Sequence, residues 1–267
     1  MNKIGFIGGG KMASAIIKGI INSKWCNSEN IFVSDKNEEA LIKLKKEYCI
    51  NPVKSNCDVI KNSNIILLAV KPFVMNDVLN EIKNSITNEH IILSIAAGIS
   101  TETIENILGN IPVIRIMPNT PALVNEGISA ICKGKCANEK HSELAKEILS
   151  KVGKVVDSEE KYIDIITAVS GSSPAFYYFF INEIAKAGEK LGLDYQTALK
   201  LSAQTALGSA KMIMESGITP EQLIVNVTTP DGCTAEGNQV LAEHNVSDIL
   251  FETIEKTAKK AYELGKK

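Results

Sequence analysis

Up to about Val156 the chain alternates two kinds of segment, and that alternation limits the fold more than any other feature. Short β-branched runs, "KIGFI", "IFVS", "IILLAV" and "HIILS", are each followed by an amphipathic helical pattern, over 11–22, 38–47, 74–84 and 101–108. Two further runs, "VIRIM" and "ISAIC", continue the series. Strand, helix, strand in repetition predicts parallel strands joined by crossover helices, a doubly wound α/β sheet. Beyond Val156 the strand runs stop. Helical periodicity then holds over 164–169, 175–191, 194–216, 220–227 and 248–265, interrupted at Gly192, at Gly217 and by the stretch "VTTPDGCTAEG". Thr219 followed by Pro220 reads as an N-cap with proline in the first helical position. The expected division is an α/β domain over 1–158 and an all-helical domain over 159–267.

Composition narrows the partners. A formal net charge of -2 gives no electrostatic reason for a nucleic-acid or anionic-membrane surface. Six cysteines without a CxxC pair, in 267 residues that need no disulfide staples, read as reduced thiols of a cytoplasmic protein. No signal-length apolar segment opens the chain, and the aliphatic run Ile65 to Val70 suits a buried strand but is too short to span a bilayer. The three histidines, His90, His141 and His244, stand apart, so no metal site is expected.

The first chemical motif is "IGFIGGGKMASAI", in which Gly8, Gly10 and Ala13 fill G-x-G-x-x-A between a strand pattern and a helix pattern. Glycine there permits a tight turn and lets backbone amides, with Lys11 and Met12 opening the helix, approach a pyrophosphate at the helix's positive end. In this setting the motif is the fingerprint of a Rossmann-type domain, and a nicotinamide dinucleotide is the natural ligand. Ser34, Asp35 and Lys36 end the next strand: Asp35 suits a free ribose 2′-hydroxyl, whereas Ser34 and Lys36 suit a 2′-phosphate. The choice between NADH and NADPH stays open on these residues.

Three more strand ends carry small residues or proline: "AVKP" (Ala69, Val70, Lys71, Pro72), "SIAAG" (with Ala96, Ala97, Gly98) and "IMPNTP" (with Asn119). Ligands of open parallel sheets lie across the carboxyl ends of the strands, so these are the candidate walls of a nicotinamide pocket.

"GFIGGGKMASAI", "LAVKP", "SIAAGIS", "RIMPNTPALV", "SGSSPAF" and "VTTPDGCTAEGNQVL", in this order and at these separations, closely resemble the pyrroline-5-carboxylate reductases over nearly the whole chain. The resemblance implies reduction of a cyclic imine, 1-pyrroline-5-carboxylate, to L-proline with hydride from NADPH or NADH. It also implies a Rossmann domain followed by an all-α dimerisation domain that interlocks with a partner subunit. A substrate with one carboxylate needs an anion cradle, and a helix N-terminus supplies one: Pro230-Asp231-Gly232 breaks one helix, and the amides of Gly232, Cys233 and Thr234 open the next. By the same resemblance Thr229 adds a hydroxyl to the carboxylate, the catalytic Thr234 orients the imine nitrogen, Asn56, Asn119 and Asn226 touch cofactor or pocket, and Glu160 lies nearby. Two departures bear on the pocket. The family's Ser-Pro-Gly-Gly-Thr-Thr is here Thr229-Pro230-Asp231-Gly232-Cys233-Thr234, which sets a carboxylate beside an anion site, and Ser173 replaces a common glycine.

An imine that arrives protonated needs little general-acid help, so catalysis reduces largely to positioning. The aromatic run "FYYFF" from Phe176 to Phe180 reads as the buried core of a subunit interface, in a homodimer or a larger assembly of dimers. Two other functions fit the plan: a β-hydroxyacid dehydrogenase using Lys186 or Lys211, and a dinucleotide sensor without turnover in which Asp231 has spoiled the anion site.

Overall fold

The computed structural model describes residues 3–265. The chain runs β1 (Ile4–Ile7), α1 (Lys11–Asn22), β2 (Ile31–Ser34), α2 (Glu38–Tyr48), β3 (Asn51–Pro52), α3 (Asn56–Asn62), β4 (Ile65–Leu68), α4 (Met75–Ile82), β5 (Ile91–Ser94) and α5 (Thr101–Leu108). It continues through β6 (Val113–Met117), β7 (Gly127–Lys133), α6 (Glu139–Leu149), β8 (Gly153–Asp157) and the short α7 (Ile163–Ile166). The helices α8 (Ser173–Lys190), α9 (Tyr195–Glu215), α10 (Pro220–Val227), α11 (Cys233–Glu243) and α12 (Val246–Gly265) follow. Two compact units result, one of residues 3–172 with 256–265, the other of Ser173–Glu255. The first extends past the expected 158/159 boundary because α7 reaches the sheet, where Ile163 is buried with Met117, Ala130 and Cys132.

In the first unit the strands form one sheet in the order β3-β2-β1-β4-β5-β6-β7-β8. Every residue of β1, β4 and β5 is buried, the pattern of strands covered by helices on both faces. Ile4 and Phe6 pack with Ile16 and Ile20 of α1 on one face, while Ile7, Ile66 and Ile92 pack with α4 and α5 on the other. Each such side chain contributes roughly 1.5–3 kcal/mol by leaving water.

One expectation needs correction: the sheet is not parallel throughout, because β7 runs antiparallel to β6. A parallel return needs a crossover of about a dozen residues or more, usually a helix. The link from Met117 to Gly127 holds only a 3₁₀ segment, Thr120–Val124, so the chain turns straight back. The strand β8 then pairs parallel to β7 through α6.

The helices begin where the side chains dictate. Asn37, Ser55, Ser100 and Asp194 each accept a backbone N–H from the first turn that follows, and Thr219 does so ahead of Pro220, as the sequence predicts. Side-chain caps are missing from α1, α4, α7 and α11, and of these α1 and α11 carry glycine at the N-cap, Gly10 and Gly232. In the second unit, Tyr177, Phe179, Ile184, Leu201, Ile224 and Phe251 all leave large apolar areas exposed. An apolar surface of that extent marks a site of association.

Candidate functional site

The glycine turn after β1 is held by the strands on either side. Gly8 donates its N–H to the Ser34 carbonyl at 2.8 Å. Its φ is +101°, and a Cβ there would stand 2.6 Å from the Ala69 carbonyl oxygen, so glycine is required on both counts. Gly10 has nothing within 4 Å of a would-be Cβ and opens α1 without a side-chain cap. A helix start whose first amides have no backbone partner among the described residues, under an open glycine, is a cradle for a phosphate group, so these residues fit a dinucleotide.

A cleft of about 280 Å³ adjoins this turn, and the expected Gly8, Gly10, Ser34, Asp35, Lys36 and Asn56 all line it, with Ala69, Val70 and Lys71. Lys11 is exposed and Met12 half-buried in the first turn of α1. The carboxylate of Asp35 has two backbone partners: Oδ2 accepts from Gly9 N–H at 2.6 Å and Oδ1 from Asn37 N–H at 2.8 Å. It thus latches the glycine turn to the end of β2. The buried Ser34 hydroxyl donates to Asn56 Oδ1 at 2.7 Å, and Asn56 Nδ2 donates to Glu81 Oε2 at 2.7 Å. Lys36 remains exposed at the rim. Sequence reasoning missed Glu81 and Asp77, which reach the cleft from α4 with no local signal to announce them.

The other strand-end residues border a second cavity of the same unit, about 520 Å³, lined by Pro72, Phe73, Ala97, Gly98 and Thr167 among others. Ala96 is buried beneath its wall. Asn119 is held on both side-chain atoms: Oδ1 accepts from Ile128 N–H at 2.9 Å and Nδ2 donates to the Ser170 carbonyl at 3.3 Å. The second bond has a clear cause. The helical path continues from a π-turn, Thr167–Ser172, into α8, and Pro174 has no N–H to return to the carbonyl four residues back. Ser173, the other departure, is buried at that junction.

Glu160 also has a defined place. Its carboxylate accepts from Thr101 N–H at 2.9 Å, from the Thr101 hydroxyl at 2.6 Å and from Arg115 Nη1 at 2.9 Å. Burial pushes this carboxyl up, but the hydrogen bonds from Thr101 and Arg115 together with the arginine charge outweigh it and hold it below its usual range. Cys132, opposite Arg115 on β7, is pushed up to about 12 by burial and then by the Glu160 charge. Neither Thr101 nor Arg115 stood out in the sequence.

In the second unit, the turn between α10 and α11 brings the expected substrate residues together. Thr228 is committed to structure: its hydroxyl donates to the Ile224 carbonyl at 2.7 Å and accepts from Asn238 Nδ2 at 3.2 Å. Thr229 and Thr234 are exposed. One expectation changes here. The Gly232 amide is not a free donor, because it closes the turn on the Thr229 carbonyl at 3.0 Å. The amides of Cys233 and Thr234 have no backbone partner among the described residues, so the open donors are these two. Asp231 takes a left-handed φ of +56°, which explains why glycine suits that position, and aspartate is among the residues that tolerate it. Its carboxylate makes no hydrogen bond to the α11 amides among the described residues and is exposed. Asn226, on α10, is exposed and accepts from Gln222 Nε2 at 2.9 Å. Lys186, which a hydroxyacid dehydrogenase reading would use, pairs with Glu183 at 2.8 Å.

Three comparisons bear on this geometry. Residues 160–264 match the family model for pyrroline-5-carboxylate reductase dimerisation, and residues 3–98 match one for an NADP oxidoreductase, coenzyme F420-dependent. The chain is 40% identical over 266 residues to the pyrroline-5-carboxylate reductase of Methanosarcina acetivorans, covering 99% of this chain and 98% of that protein. It is 38% identical to pyrroline-5-carboxylate reductase 1 of Bacillus spizizenii, covering 98% and 89%. Among solved structures it superposes on a pyrroline-5-carboxylate reductase of Coxiella burnetii with a TM-score of 0.92 at 32% identity, covering 98% of each chain. It also superposes on the pyrroline carboxylate reductase of Plasmodium falciparum with NADP bound, with a TM-score of 0.89 at 32% identity, covering 99% and 98%.

Proposed function

Because the chain belongs to the pyrroline-5-carboxylate reductase family, we propose that the turn from Thr229 to Thr234 holds the substrate of that reaction and that the strand-end cleft holds the dinucleotide. The enzyme reduces 1-pyrroline-5-carboxylate to L-proline with NAD(P)H, the last step of proline biosynthesis. The observation that carries the site assignment is an uncapped helix start with two open amides beside two exposed hydroxyls.

The amides of Cys233 and Thr234 and the hydroxyl of Thr229 receive the carboxylate, where the positive end of α11 adds to their pull. The Thr234 hydroxyl orients the imine nitrogen. A nicotinamide bound in the cleft would supply the hydride for the imine carbon; the nitrogen brings its own proton, so little general-acid help is asked of the chain. In the first unit Gly8, Gly10, Lys11 and Met12 receive the phosphates, while Ser34, Asp35, Lys36 and Asn56 surround the adenosine ribose. Ala69 to Pro72 and Ala96 to Gly98 form the walls for the nicotinamide ribose and ring. Asn119, oriented by Ile128 and Ser170, and Asn226 on α10 complete the cofactor contacts.

In this reading residues 1–158 bind the dinucleotide, and 159–267 serve dimerisation and the substrate. Self-association is supported by the family model over 160–264 and by the exposed apolar faces of the second unit. We extend it to a homodimer or an assembly of dimers without nucleic-acid or membrane partners. A cytoplasmic location is supported by six cysteines, none of them in a disulfide among the described residues. No helix among the described residues is long and apolar enough to cross a membrane. The direct assay is loss of the reduced-nicotinamide absorbance on mixing purified protein with pyrroline-5-carboxylate, run with NADPH and with NADH. Loss that disappears in Thr234→Ala supports the assignment. No loss with either nucleotide, despite nucleotide binding, refutes it.

A further inference from the structure

The loops that end β5 and β6 are both tied by polar side chains to the short segment 160–170. From β5 the chain passes through Ile95 to Ser100 and enters α5 at Thr101. The strand end is fixed by its ladder to β4 and β6. The helix end is fixed by Glu160, which takes both the amide and the hydroxyl of Thr101, at 2.9 and 2.6 Å, while Ser100 caps the next turn through Thr103 N–H at 3.0 Å. Glu160 is itself held by Arg115 Nη1 at 2.9 Å. Arg115 is buried on β6, in register with Ser94 at the end of β5. The loop that carries Ala96, Ala97 and Gly98 is therefore anchored at one end by the sheet and at the other by one carboxylate, and Arg115 joins the two anchors. The neighbouring loop is braced in the same way by Asn119 on the Ser170 carbonyl and the Ile128 amide.

We propose that Glu160 is a positioning residue of the reductase: through Thr101 and Arg115 it fixes the Ala96–Gly98 loop, and with it the plane against which the nicotinamide ring is set for hydride transfer. This rests on the assignment of that loop to the nicotinamide. Glu160 touches neither reactant in this account; it sets the geometry of the wall. Hydride transfer is steeply sensitive to such geometry, since a displacement of about 1 Å costs on the order of 100-fold in rate.

Two variants of the full-length protein test it. E160Q keeps the size and removes the charge, and T101V keeps the shape of threonine and removes only the donated hydroxyl. The proposal expects kcat to fall about 100-fold in E160Q and about tenfold in T101V, with the KM for pyrroline-5-carboxylate and the dissociation constant for NADPH within about twofold of wild type. It also expects a larger primary isotope effect with NADPH deuterated at the transferred position, and faster amide hydrogen exchange over 96–101 in the NADPH complex. Loss of yield and thermal stability with wild-type kcat per folded molecule would make Glu160 merely structural and overturn the proposal. A rise in KM with unchanged exchange at 96–101 would overturn it too. The exchange comparison needs no turnover, so it decides the role of Glu160 in fixing the loop even if the wild-type protein proves inert toward the imine, a result that would sink the functional assignment separately.

Discussion

The Gly232 amide donates to the Thr229 carbonyl at 3.0 Å, and the space a Cβ on Gly232 would need is taken by the Thr229 hydroxyl. The two residues therefore define one turn: one closes it, and the other keeps a hydroxyl beside the start of α11 only because its neighbour has no side chain. Gly232→Ala is expected to drive the Thr229 hydroxyl out of place and raise the KM for pyrroline-5-carboxylate about tenfold, the loss of one hydrogen bond to a charged group. Steady-state kinetics with nucleotide binding measured in parallel checks this. An unchanged KM would mean that Thr229 has no part in holding the carboxylate.

Asp231 sits at φ +56° next to that turn with its carboxylate exposed. Asparagine tolerates the same backbone conformation and carries no charge. Asp231→Asn is expected to leave the thermal midpoint where it is and to lower the KM for the anionic substrate about fivefold, more at low salt than at high salt. A KM that stays the same or rises would show that the aspartate does not oppose the bound anion.

Asp35 holds the Gly9 amide at 2.6 Å and the Asn37 amide at 2.8 Å, so its removal loosens the glycine turn itself. Asp35→Ala is expected to weaken NADPH and NADH alike, each about tenfold, when titrated by nucleotide fluorescence. If the aspartate instead acts only on a ribose 2′-hydroxyl, NADH alone will weaken.

The Glu160 carboxyl is held below the usual carboxylate range despite burial, through Thr101 and Arg115, with Cys132 the neighbouring titratable group on β7. A depressed folded-state value contributes stability that is fully present above the unfolded value and is lost as pH falls through the folded one. The thermal midpoint of wild type is therefore expected to exceed that of Glu160→Gln by a constant margin above about pH 5, with the margin shrinking as pH drops below about 4. A margin independent of pH down to about pH 3 would mean that the ionised carboxylate does not contribute to stability.

How much of this was legible in the sequence depended on whether its cause was local. The helix α1 begins and ends at the residues its apolar spacing picks out, Lys11 and Asn22, and the cap at Thr219 was readable from one hydroxyl followed by proline. The short α3 has seven residues, too few for a period to show, and α6 opens on Asn138 with His141 rather than glutamate completing the capping box. The antiparallel β7 had a readable signal in the short link after Met117, since no crossover helix fits there. At the candidate site, the glycine turn and the strand ends were visible because their residues are unusual for strands and helices. The tie from Arg115 to Glu160 spans 45 residues, and no spacing rule joins them. Asn119 was visible as a residue, but its task follows from a proline in α8.

The most direct test follows the hydride. Pyrroline-5-carboxylate is incubated with the protein and NADPH carrying deuterium at the transferred position, and the product is read by mass spectrometry and NMR. The expected product is proline heavier by one deuterium, with the label on the carbon that was part of the imine, formed by wild type and almost absent with Thr234→Ala. Unlabelled proline, label on another carbon, or equal labelling by the variant would contradict the assignment of the Thr229 to Thr234 turn as the place where the imine is held for reduction.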